Sequence, residues 1–95
     1  MYQVMVVDDE EYILKALKRT INTYTDWEVE TYQDPHEALR RARTTVFDAV
    51  ITDYMMPEMN GLELLQELRD LQPDTIRIVL TGVIDIETVM SAINK

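Results

Sequence analysis

The chain has 95 residues, enough for one small domain, and 46% of them are apolar, enough for a packed core. Its net charge of -9, from nine basic and eighteen acidic residues, repels nucleic acid and anionic membranes and suits divalent cations or basic partner faces. There is no cysteine, which excludes disulfides and thiolate metal sites, and no apolar run long enough to span a bilayer. No signal-peptide pattern precedes the first element, so cytoplasm is the expected compartment.

Gln3–Val7 (QVMVV) is a continuous apolar run of strand formers that ends abruptly at Asp8. Without polar alternation it predicts a strand buried on both faces. Ile13, Leu14, Leu17, Ile21 and Tyr24 then recur at helical spacing and predict one apolar stripe. Trp27–Tyr32 (WEVETY) alternates and predicts a half-exposed strand near a sheet edge. Asp34-Pro35-His36-Glu37 has a capping residue followed by proline at the first helical position, so a helix runs to about Ala42.

Phe47–Thr52 (FDAVIT) predicts a third strand ending at Asp53. After Asn60-Gly61, the residues Leu62, Leu65, Leu68 and Leu64 mark a helical face that stops before Pro73. Ile76–Leu80 (IRIVL) predicts a fourth strand ending at Thr81-Gly82, and Asp85 caps a last helix with Ile86, Val89, Met90 and Ile93. The order βαβαβαβα predicts an α/β fold, a doubly wound parallel sheet with helices on both faces.

In such sheets, sites form outside the carboxyl ends of the strands. Strand one ends at Asp8 and Asp9, strand three at Asp53 and strand four at Thr81. Each feature alone has a plain structural explanation. An acidic pair favours a helix start, an aspartate opens a loop, and a threonine ends a strand. Together at one sheet edge they predict a cleft with three carboxylates, which stay ionised together only if a cation offsets them. An all-oxygen ligand set favours Mg²⁺, or Mn²⁺, over zinc. His36, in the first turn of its helix, is expected to face solvent. Met55, Met56 and Met59 are expected to cover the apolar underside of their loop, and Trp27 to pack near a strand edge.

The segments VMVVDDE (4–10), VITDYMMPEMNG (50–61) and IVLTG (78–82), in this order, resemble the receiver domain of two-component response regulators. The resemblance implies a flavodoxin-like (βα)₅ fold with strand order 2-1-3-4-5. It makes Asp53 the acceptor of a phosphoryl group from a sensor histidine kinase or phosphotransfer protein. Asp9 and Asp53 would bind Mg²⁺ directly, Asp8 through a water, and Met55 through its main-chain carbonyl. Thr81 would be the switch hydroxyl that turns toward the phosphoryl group, and Pro57 and Gly61 would shape the loop.

The family pattern continues beyond Lys95. Residues 1–95 would therefore be a receiver domain without its fifth strand and fifth helix, with an output domain further on. Ile76–Leu80 would then be an apolar edge strand, which pairing in a homodimer would cover. Two other functions fit part of the pattern: an interaction module that binds metal without being phosphorylated, and a phosphatase with an aspartate nucleophile. The second wants an acid two positions after the nucleophile, where this chain has Met55. No turnover of an independent substrate is expected beyond the domain's own phosphoryl transfer and dephosphorylation.

Overall fold

The structure, a computed structural model, describes residues 1–80. The expected last helix and Thr81 lie outside the described residues. Seven elements follow in chain order: β1 (Gln3–Val7), α1 (Glu11–Tyr24), β2 (Glu28–Tyr32), α2 (Pro35–Ala42), β3 (Ala49–Asp53), α3 (Gly61–Leu71) and β4 (Ile76–Leu80). The four strands form one parallel sheet in the order β2-β1-β3-β4.

Side-chain alternation in β1 and β3 divides the core between the two sheet faces. Val4 and Val6 of β1 pack with Ala49, Ile51 and Ile78 under Leu14 and Leu17 of α1. Met5 and Val7 point the other way, with Val50, under Ala38, Leu39 and Ala42 of α2 and Leu64 and Leu68 of α3. β1 is thus covered on both faces, as its unbroken apolar run predicts. Each fully buried leucine contributes about 2 kcal/mol of transfer free energy. Chain direction across the sheet reverses after β2, so a topological switch point lies between β1 and β3.

Several boundaries differ from the sequence reading. β2 starts at Glu28, because the Trp27 N–H is held in a turn by Thr25 Oγ1 at 3.1 Å. Trp27 packs edge-on against Tyr2. β3 runs from Ala49 to Asp53, because ladder pairing with β1 begins at Val4 and Ala49. Phe47 lies ahead of the strand as a fully buried anchor. Tyr24, expected on the buried stripe, is exposed: it is the last residue of α1, and Thr25 turns the chain by donating its backbone N–H to Ile21. Leu62, also expected to be buried, is 50% exposed. The inward face of α3 is Gly61, Leu64 and Leu68, a spacing that turns Leu62 outward.

The Asp34 cap of α2 matches its sequence signal, without the box that Glu37 was expected to complete; the capping box lies instead at the start of α3. The Asp34 side chain accepts the His36 backbone N–H, and Asn60 with Glu63 forms a reciprocal capping box. At the end of the sheet away from the acids, Gln72 joins three segments. Its Nε2 donates to the carbonyls of Ala42 and Thr45, each at 2.6 Å. Its Oε1 accepts the Phe47 N–H at 2.9 Å and lies 3.0 Å from Thr75 Oγ1. Among the described residues no buried side-chain nitrogen or oxygen lacks a partner.

Replacing Gln72 with Ala removes the side-chain partners of the buried Phe47 N–H and of the Ala42 and Thr45 carbonyls. Gln72→Ala is expected to destabilise the chain by roughly 2–4 kcal/mol, read as a lower urea midpoint with an unchanged slope.

Candidate phosphoacceptor and cation site

Ladder register brings the acids together. Val7 pairs with Thr52, so Asp8 and Asp53 come next in step on adjacent parallel strands. Asp9 follows directly. One carboxylate oxygen from each of Asp8, Asp9 and Asp53 lies within 4.8 Å of the others. The cleft stands at the switch point, outside the carboxyl ends of β1 and β3, where open α/β sheets hold ligands.

The three acids have different surroundings. Asp8 is 6% exposed, Asp53 is half-buried and Asp9 is exposed. Asp8 Oδ1 accepts the Glu10 backbone N–H at 2.9 Å, which ties the strand end to the start of α1. Burial pushes the Asp8 carboxyl up from 3.8 to about 6, helped by the charges of Asp53 and Asp9 and opposed by the Glu10 bond. Burial, then the Asp9 charge, also raises Asp53, against the lowering effect of the Tyr54 and Met55 backbone donors. Carboxylates crowded at a switch point are held there against their own repulsion, and a divalent cation would relieve it. The donor set is all oxygen, which suits a hard ion. This cluster can therefore hold a divalent cation.

Gly61 closes the loop behind the acceptor. Its N–H donates to the Tyr54 carbonyl at 2.9 Å. A Cβ at this position would overlap the Asp53 carbonyl oxygen and stand 3.1 Å from both the Asp53 carbonyl carbon and Tyr54 Cα. These are backbone atoms that cannot swing aside. The loop also carries Met56, which is buried, and Met59, which packs against the same core cluster. Met55 departs from the expectation that it would cover the loop's underside. It is 72% exposed, because the chain turns its side chain outward beside Asp53 while Met56 enters the core.

The structure thus joins Asp8, Asp9 and Asp53 and places Met55 and Gly61 beside them. Thr81 lies outside the described residues; Leu80, the last described one, pairs with Asp53. One feature was not legible in the sequence. His36 faces solvent as expected, but its Nε2 lies 3.4 Å from Glu58 Oε2. No motif joins residues 22 positions apart on different elements.

Comparison with known proteins agrees with this geometry. The response regulator receiver domain family matches residues 4–95, and the chain belongs to that family. It is 37% identical over 80 residues to the response regulator MprA of Mycolicibacterium vanbaalenii, covering 84% of this chain and 34% of that protein. It is 33% identical over 92 residues to the hydrogenase transcriptional regulatory protein HoxA of Cupriavidus necator, covering 97% of this chain and 19% of that protein. The chain thus spans about a third or less of these relatives. A response regulator from Burkholderia pseudomallei, solved with a phosphorylated aspartic acid, a calcium ion and citrate, superposes with a TM-score of 0.79 at 31% identity. That match covers 99% of this chain and 55% of that one. The domain is a response regulator receiver domain with a doubly wound parallel sheet. Among the described residues no helix is long and apolar enough to cross a membrane.

Two outcomes follow from the site. With divalent ions removed, the folded chain holds the Asp8 proton more tightly than the unfolded chain. Stability from this group is therefore highest near pH 4, falls as pH rises toward 6, and is flat above. Melting temperature in a chelator should fall over that window, and Asp8→Asn should flatten the fall and raise the neutral-pH value. Gly61→Ala, by contrast, should destabilise. The helix-propensity gain of about 1 kcal/mol is outweighed by backbone overlap costing roughly 1–3 kcal/mol, checked by urea denaturation.

Proposed function

We propose that the chain is a phosphorylation-dependent switch in which Asp53 takes a phosphoryl group in the presence of Mg²⁺. The observation that carries this reading is the convergence of the Asp8, Asp9 and Asp53 carboxylates at one sheet edge. An aspartate oxygen is a poor nucleophile toward an anionic phosphoryl group, because the charges repel. Mg²⁺, when bound, neutralises that charge and orients the phosphoryl oxygens.

The chain's own residues do the rest. Asp53, fixed by its ladder pairing with Leu80, presents one carboxylate oxygen to phosphorus. As the new P–O bond forms, the P–N bond of a phosphohistidine donor breaks and its electron pair returns to the imidazole, which takes a proton from solvent. Asp9 and Asp53 would hold the ion directly, Asp8 would act through a water, and the Met55 carbonyl would add a further oxygen. Preorganisation by the sheet keeps the reorganisation small.

Thr81, next after Leu80, is the switch hydroxyl in this reading. A change from 1:99 to 99:1 needs about 5.5 kcal/mol, more than the 1.5–3 kcal/mol or so of one charge-assisted hydrogen bond. Several contacts must therefore change together, or the active form must already be well populated. A sensor histidine kinase or phosphotransfer protein is the donor, and an output domain beyond Lys95 is the target. The compartment is the cytoplasm.

The test is intact mass after incubation with acetyl phosphate and Mg²⁺. The wild-type chain should gain one phosphoryl group, and Asp53→Asn should gain none. A mass gain that persists in Asp53→Asn, or none in the wild type, defeats the proposal.

A further inference from the structure

A second set of ligand-type side chains lies apart from the acid cleft, between the start of α2 and the loop that follows Asp53. Asp34 Oδ1 accepts the His36 backbone N–H at 2.8 Å, and this cap fixes the first turn from which the imidazole projects. Glu58 arrives from the β3–α3 loop with Oε2 3.4 Å from His36 Nε2. One ligand atom from each of Asp34, His36 and Glu58 lies within 4.8 Å of the others, and all three residues are exposed.

The spacing has a chemical meaning. Two ligand atoms each about 2.1 Å from one ion, at a tetrahedral angle, stand about 3.4 Å apart. The His36–Glu58 separation matches that value, and it is longer than the 2.7–2.9 Å or so of a charge-assisted hydrogen bond. Asp34 keeps a second carboxylate oxygen outside its capping bond, and an exposed side chain needs only a small rotation to bring it closer. The donor set also differs in kind from the cleft. One imidazole nitrogen with two carboxylates suits zinc and similar late first-row ions, whereas three carboxylates suit magnesium. His36 is the sole histidine in a chain without cysteine, so no other imidazole or thiolate competes for such an ion.

We propose that Asp34, His36 and Glu58 form a second cation site, selective for Zn²⁺ or a similar late transition ion over Mg²⁺. It joins the N-terminus of α2 to the phosphoacceptor loop. Glu58 follows Asp53 by five positions, so an ion held here restrains the loop whose backbone surrounds the acceptor. Occupancy of the two sites is then linked, each altering the affinity of the other by the same factor. The site itself does not depend on phosphorylation of Asp53.

The single histidine makes the test direct. The chain, with excess Mg²⁺ to fill the acid cleft, is titrated with Zn²⁺ while the imidazole nitrogens are followed by NMR and the heat by calorimetry. The His36 ring signals should shift to saturation. Zn²⁺ affinity should weaken about tenfold or more in His36→Ala and fall in Glu58→Gln. Ring signals that do not respond to Zn²⁺, or equal affinity in wild type and His36→Ala, overturn the proposal. The ring signal needs no substitution, so a folding defect in a variant cannot mask the result. An Asp53 that accepts no phosphoryl group leaves this outcome unaffected.

Discussion

The arrangement depends on electrostatic repulsion that the fold does not relieve by itself. Parallel pairing of β1 with β3 puts Asp8 and Asp53 side by side, and Asp9 adds a third carboxylate within ligand-sharing distance. Water would separate three such groups if they were free to move. Here the sheet backbone forbids it, and burial of Asp8 raises the cost of its charge. The same repulsion that makes the cleft unfavourable without a cation makes it a strong attractor for one. Binding and stability are therefore two readings of a single interaction.

Rigidity is supplied on both sides of that cleft. Below it, β1 is packed on both faces and cannot shift register without turning its apolar side chains toward the wrong layer. Behind it, Gly61 lets α3 start against the backbone of Asp53 and Tyr54, a contact that excludes any larger side chain. Met56 anchors the intervening loop in the core, while Met55 and Glu58 stay at its surface. The loop is thus held in the core at its base, while Glu58 at its exposed tip meets His36 of α2.

The β4 strand behaves differently. Among the described residues it is the sheet edge, paired with β3 on one side only, and most of its side chains are partly exposed. Yet it is the strand that pairs with Asp53, through Leu80. Asp53 is therefore tied by backbone pairing to the least covered part of the described sheet.

Much of this was legible in the residues alone. Unbroken apolar runs ending in acids gave away parallel strands, and their order around helices implied the switch-point cleft, because burial on both faces leaves no room for polar alternation. Asp34-Pro35 marked a helix start, since capping is local chemistry, and Asn60-Gly61 marked the loop ahead of α3. Tertiary structure alone decided which leucine of α3 faces inward, because Leu62 and Leu64 differ only in the angle set by the Gly61 approach. It also decided that Asp8 is the most buried acid and that His36 meets Glu58. Such pairings depend on ladder register and loop closure across distant segments, and no local pattern of residue types encodes those distances.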